Sequence, residues 1–257
     1  PGFAGISLPA DPEAAGEMDE PYIYHFPDGN ASIARLLVRS LVPSAIPGST
    51  MDDIVLARAR YDELDRAGRK VRIRLNSTVG RVGNGTGHVD VGYLDNRDRS
   101  LHRVRAKHVV MACFNMLIPY VLGGLPEAQA AALKLNVKSP LVYTYVVVRN
   151  WQPWVKLGVH EIYGVSSHHS RVKLDYPVAM GGYRNPTRPD EPMVLHLVHV
   201  PTVPGINEPR TALRGARSLL LKQTFADHET AVRTALSRMR GPGGFDDPRD
   251  ILAITVN

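Results

Sequence analysis

The chain has 257 residues, 44% apolar and 22% charged, with a formal charge of +6. Those proportions match folded domains and exclude low-complexity disorder over most of the length. The cationic excess is scattered rather than gathered into the stripe a nucleic-acid surface needs, no apolar run reaches the ~20 residues of a membrane-spanning helix, and a single cysteine, Cys113, excludes an internal disulfide or a multi-cysteine zinc site.

In chain order, residues 1–21 are rich in Pro, Gly and acids and read as a loop or tail. Residues 22–26 read as a short strand. Pro27-Asp28-Gly29-Asn30 reads as a turn in which Gly29 tolerates positive φ and Asn30 caps the next helix. Ile33, Leu36, Leu37 and Leu41 recur on one helical face, predicting a helix over 31–42 that Pro43 ends. Thr50, followed three residues later by Asp53, predicts a second helix to about Arg66, stopped by Gly68. Alternation predicts strands over 71–75 and 78–82, a hairpin turn at Asn84-Gly85, and a return strand carrying Val89, Val91 and Tyr93. Residues 101–112 supply more strand, ending in Val109-Val110-Met111-Ala112. A helix is predicted over 127–135, behind Pro126. Further strands are predicted over 141–148, 159–164, 171–178, 193–200 and 250–256. A short helical turn is predicted over 151–157, and one long helix over 209–240 with Gly241 as its stop. The order implies an α/β to α+β architecture with two lobes.

Several motifs dissolve on inspection. Gly83-Asn84-Gly85-Thr86-Gly87 has strand on both sides, whereas a dinucleotide-binding loop needs a helix after it, so it reads as a hairpin tip. No Gly-x-Ser-x-Gly elbow supports serine hydrolysis. His196 and His199 lie three apart on a strand and point to opposite faces; with His168-His169 they read as loop or sheet residues, and no metal site is expected. Cys113 sits in an apolar run and reads as a buried small hydrophobe. Tyr143, Tyr145, Trp151 and Trp154 form an aromatic group that fits either core packing or an apolar-walled pocket for an alkyl amine. Tyr143 and Tyr145 share one strand face, so both can line one wall.

The segment from Tyr22 to Arg39, YIYHFPDGNASIARLLVR, closely resembles a segment of bacterial spermidine dehydrogenases. So do Arg74-Leu-Asn-Ser-Thr-Val79, Val110-Met-Ala-Cys-Phe-Asn-Met-Leu-Ile-Pro-Tyr120, Pro140-Leu-Val-Tyr-Thr144, Arg149-Asn-Trp151, Gly243-Gly-Phe-Asp246 and Ala253-Ile-Thr-Val-Asn257. These enzymes are similar to the wider flavin-containing amine oxidase group. The resemblance implies an interior fragment of a larger FAD-dependent enzyme that oxidises a polyamine by hydride transfer to the flavin. The fragment lacks the family's phosphate-binding glycine loop and its C-terminal closing segment, and so is expected to be inactive alone.

By the same resemblance, residues 22–118 belong to a partial FAD-binding domain, Rossmann-like and of glutathione-reductase type. Residues 119–245 form part of a mixed-sheet substrate domain, and 246–257 return as a strand to the FAD domain. The turn Asp28, Gly29 and Asn30 is implied near the flavin. Asn76-Ser-Thr78-Val79 resembles the strand whose Val backbone meets the adenine, and the run through Ala112, Cys113 and Asn115 resembles the strand end that faces the cofactor. Tyr143 and Tyr145 are the implied substrate wall. Many amine oxidases carry a Lys shortly after the Pro-Leu of the strand at 140; residues 142–148 contain none, so no catalytic base is assigned. The resemblance leaves open an additional haem, the electron acceptor, and a bacterial cytoplasmic or periplasmic location. The alternatives are a related flavoprotein acting on another donor, or a non-catalytic module with a degenerate flavin fold.

Overall fold

The structure is a computed structural model and describes residues 26–165, 167–176, 178–238 and 244–257. The chain divides into two compact units, one of Pro1–Glu63 with Pro177–Asn185 and one of Leu64–Tyr176 with Pro186–Asn257. The expected tail and the strand over 22–25 lie outside the described residues, as does Gly241.

In the first unit, helix α1 (Asn30–Leu41) follows the predicted turn. Gly29 supplies the entry at φ 63°, a backbone conformation that suits glycine. Asn30 is already helical and makes no side-chain cap bond, so the expected cap is absent. The helix buries Ser32 and Arg39. Its apolar stripe does the opposite: Ile33, Leu37 and Leu41 are 47%, 62% and 56% exposed.

Arg39 organises the segment after the helix. Its buried guanidinium donates to the carbonyls of Ile46 (3.2 Å), Pro47 (2.6 Å) and Thr50 (2.8 Å) and pairs with Asp53 at 2.6 Å. The backbone N–H groups of Ser49 and Thr50, with Arg39 behind them, hold the Asp53 carboxyl well below the usual carboxylate range. Thr50 and Asp53 do form the reciprocal cap read from the sequence: the Asp53 N–H donates to Thr50 Oγ1, and the Thr50 N–H to Asp53 Oδ2. The helix expected to run from there to Arg66 does not form. Turns occupy 51–56, and only a 3₁₀ turn, Tyr61–Glu63, comes after them. The backbone is diverted instead: the Arg60 N–H donates to the Ala45 carbonyl (2.7 Å), and Arg35 donates to the carbonyls of Val55 and Ala57.

The second unit contains two sheets. The first is a meander in the order β1-β2-β3, with β1 Ser77–Gly85, β2 His88–Asp95 and β3 Leu101–Ala106. Gly85 pairs with His88, so the hairpin tip is Thr86-Gly87, two residues beyond the predicted Asn84-Gly85. Gly87 takes the positive φ, 72°, that such a tip requires. Strand follows strand here, as the glycine run implied. Residues 71–75 are not assigned as strand; the Ile73 N–H bonds instead to the Leu64 carbonyl. The strand expected through 112 ends at Ala106. After a 3₁₀ turn (Asn115–Leu117) come helix α2 (Ile118–Val121) and helix α3 (Glu127–Lys134).

The second sheet has five strands in the order β5-β6-β7-β4-β8. They are β4 Val142–Val148, β5 Glu161–Tyr163, β6 Arg171–Leu174, β7 Met193–His199 and β8 Ile251–Val256. All strand pairs in both sheets are antiparallel. The sole parallel element among the described residues is a bridge between Val82 and Leu122. The architecture is thus α+β, and the parallel pairing of a Rossmann-like unit is not seen in these sheets. The last strand, which the resemblance returns to the FAD domain, pairs here with β4.

One face of this sheet carries the core. Val146 and Val148 of β4 and Leu195 and Leu197 of β7 pack with Trp154 of helix α4 (Gln152–Leu157) and with Val232 and Leu236. Trp154 meets Phe245 edge-on at 6.4 Å. The predicted helix over 209–240 is two: α5 (Pro209–Leu220) and α6 (Phe225–Ser237). Thr224 and Asp227 form a full capping box that restarts the helix. Arg210 and Arg214 of α5 donate to the carbonyls of Leu135 and Lys134, satisfying the C-terminal end of α3. A short helix, α7 (Asp247–Asp250), leads into β8.

Candidate functional site

Two surfaces of the second unit gather residues that the sequence singled out. The first is an apolar groove of about 370 Å³ beside the meander, lined by Val79, Val82 and Val91, by the run Val109 to Cys113, and by Leu117 and Val121. A β-bulge makes it. The register of β1 against β2 shifts between Val79 and Arg81, so Val79 opposes Tyr93 and Val82 opposes Val91. Two residues that sit three apart, and would otherwise point to opposite faces, thereby point the same way. The Val82–Leu122 bridge and the Gly123 N–H to Val82 carbonyl bond (3.4 Å) hold the end of α2 against β1.

Val79, Ala112 and Cys113, all expected on the cofactor side, line this groove together. Cys113 is exposed there, which overturns its reading as a buried hydrophobe. The run that carries it leaves the sheet after Ala106 and forms a lip rather than a core strand. Val110 in that lip is 87% exposed and Val79 is 43% exposed. Thr78 does not join them; its hydroxyl is paired with the Asn96 side chain at 3.0–3.1 Å. Asn115 opens the 3₁₀ turn after the lip and is not among the lining residues. Asp28, Gly29 and Asn30 belong to the other unit, where Asp28 pairs with Arg35 at 3.6 Å.

The second surface is the outer face of the five-stranded sheet. Along β4, Val142, Thr144, Val146 and Val148 are buried while Tyr143 and Tyr145 point outward, so the two tyrosines do share a face. The other two aromatics of the group take the packing role: Trp154 is fully buried, and Trp151 packs partly buried against the core. Sequence reading missed the residue between the tyrosines. His196 of β7 lies directly opposite Tyr145. Its ring stacks on Tyr145 at 5.0 Å and 10°, and meets Tyr143 edge-on at 4.8 Å. The signal available was the spacing of His196 within β7, but only the register tells which strand position it faces.

Burial pushes the His196 imidazole below its ordinary pKa, and it pushes the Tyr145 phenol up. The nearby charges are paired: Lys173 with Asp175 at 3.7 Å, and Arg171 with Glu161.

Four histidines gather near the C-terminal end of β7. His168 stacks on His199 at 3.8 Å, His169 stands edge-on to His168 at 4.8 Å, and His199 Nδ1 is 2.6 Å from the His168 carbonyl. His228 of α6 is buried and repels any charge on them. Burial lowers His169 to about 4. Among the described residues no group of three or more His, Cys, Asp or Glu side chains is arranged to hold a metal ion. Among them, too, no helix is long and apolar enough to cross a membrane.

No family model and no curated protein matches the chain. Solved structures do align with it. A putrescine oxidase bound to putrescine gives a TM-score of 0.43 at 15% identity, covering 70% of this chain and 34% of its own. A putrescine oxidase mutant from a redesign of cofactor binding gives 0.44 at 16%, covering 74% and 35%. Cyclohexylamine oxidase from Brevibacterium oxydans gives 0.40 at 16%, covering 70% and 33%. The chain spans about a third of the length of each. A likeness at this level carries no argument about function.

Proposed function

We propose that this chain is an interior part of an FAD-dependent oxidoreductase that oxidises an aliphatic polyamine of the spermidine kind. One observation carries the reading: Val79, Ala112 and Cys113, assigned to the cofactor side by motif resemblance in two separate segments, line one open apolar groove. On this reading residues 22–118 contribute to the flavin domain and 119–245 to the substrate domain.

The groove fits one end of the cofactor. Its valine walls suit a planar purine ring. Among the described residues no cationic side chain lines it, and α2 is a single turn, so the reading assigns the pyrophosphate to donors on another segment. When bound, the flavin supplies the redox chemistry; the protein supplies orientation, exclusion of water and the protonation state of the substrate. Tyr143 and Tyr145 form the amine wall. Their rings desolvate an alkyl chain, and desolvation favours the neutral nitrogen that loss of hydride from the neighbouring carbon requires.

The test is an anaerobic titration of the purified protein that contains this chain. Yellow flavin absorbance should bleach on addition of spermidine, and replacing both tyrosines by alanine should raise KM about tenfold or more. Protein that neither retains nor takes up flavin would sink the reading. Flavin that no amine bleaches would leave the cofactor in place and remove the substrate.

A further inference from the structure

We infer that His196 is the specificity-determining residue of the tyrosine face, a neutral imidazole that accepts an N–H from an aliphatic ammonium ligand lying along Tyr143 and Tyr145. The inference rests on the reading of that face as an amine wall, and concerns a polyamine nitrogen that stays protonated rather than the one beside the reacting carbon. Tyr143, His196 and Tyr145 form a continuous strip of three rings with centroids 4.8 and 5.0 Å apart, on the sheet face away from the core. Tyrosine rings attract a cation through their faces but offer no directional acceptor there. Something else must choose an N–H over a CH₂.

The acids near the strip are engaged elsewhere. Asp175 is paired with Lys173, and Glu161 with Arg171. Lys173 of β6 lies directly opposite His196, with Arg171 two residues before it, Glu161 opposite Lys173 on β5 and Asp175 just past the end of β6, and each of these charges has an ion-pair partner. β4 brings only the two phenols. The imidazole is what remains. Burial first, then Lys173 and Arg171, keep it neutral against the pull of Asp175. A neutral imidazole carries one free lone pair. In the Nδ1–H tautomer that lone pair sits on Nε2, which is buried and has no hydrogen-bond partner among the described residues. Buried polar nitrogens nearly always find a partner, and one that does not is a candidate for a ligand contact. Tyr143, 41% exposed and edge-on to the ring, is the solvent-facing neighbour of that nitrogen's ring.

The test is calorimetric binding of 1,4-diaminobutane to the full chain, with 1,4-butanediol as the uncharged control of equal length. The wild type should bind the diamine and not the diol. His196→Phe keeps the ring stack but removes the acceptor, and should weaken the diamine about tenfold or more, as loss of a hydrogen bond to a charged group does. His196→Gln restores an acceptor and should recover most of that loss. The diamine stays protonated across pH 5 to 8, so any pH dependence there belongs to the protein. Wild-type affinity should fall as pH drops through the imidazole pKa, by up to about tenfold per unit, and this dependence should vanish in His196→Gln. Binding that is lost in Tyr143→Ala but unchanged in His196→Phe would overturn the role of His196 and leave the amine wall standing. No diamine binding by the folded wild type at any pH would overturn both.

Discussion

The two sheets of the second unit are built from the same kind of alternating sequence and end in opposite states. In β4 and β7 one face of each strand disappears into a core closed by Trp154, Phe245 and α6. In the meander, where a bulge interrupts the alternation of β1, Val79 and Val104 share a face and stand 43% and 42% exposed. Alternation marks which side of a strand is apolar. It does not say whether the chain carries anything to cover that side. Burial is a property of the partner, and among the described residues it is the five-stranded sheet whose apolar face is covered.

The contrast meets its most severe test at the covered sheet. Trp154→Ala removes the largest fully buried side chain and should cost about 3–5 kcal/mol, read as a fall in the urea midpoint; a shift under about 1 kcal/mol would mean the core is not closed. Acid should attack the same sheet next. His169 is held to about 4 against an ordinary 6.5, so the folded state binds fewer protons than the unfolded state between those values. Its stabilisation is complete above about pH 6.5 and is lost as pH falls toward 4, on the order of 3 kcal/mol over the window. Unfolding midpoints measured from pH 7.5 to 4 should show that fall, and His169→Leu should flatten it. Thr224→Ala deletes the cap that restarts α6 over the core and should cost about 1 kcal/mol in the same assay. At the meander the expected effect is smallest. Val110→Ser sits on the bare lip and should change stability by no more than about 0.5 kcal/mol. A larger loss there would show that the lip is already covered.

The five-stranded sheet is the most legible part of the chain. Its β-branched runs are long, and alternation places each to within a few residues. Features set by competition or register are the ones that escape. Thr50 and Asp53 do make the predicted cap, but the Arg60 N–H is drawn off to the Ala45 carbonyl and no helix follows. The split between α5 and α6 is written in Thr224 and Asp227, a capping box inside an otherwise continuous helical pattern. The bulge at Gly80 leaves no mark beyond a glycine in a strand, yet it aligns Val79 with Val82 and so shapes the groove. Cys113 is exposed because the apolar residues around it line an open groove rather than a closed core. His196 can be placed on a strand from the sequence but not opposite Tyr145, since pairing is not local.

Arg39 has a consequence of a different sort. Residues 46 to 53 are wound about one guanidinium that touches three carbonyls and a carboxylate. A span held that way is gauged by the reach of a single planar fork, which a lysine's point charge does not reproduce. Surface connections elsewhere tolerate added length at little entropic expense. Here one inserted residue would move a carbonyl off its N–H, so this short arc is the place in the fold where chain length itself is fixed by chemistry.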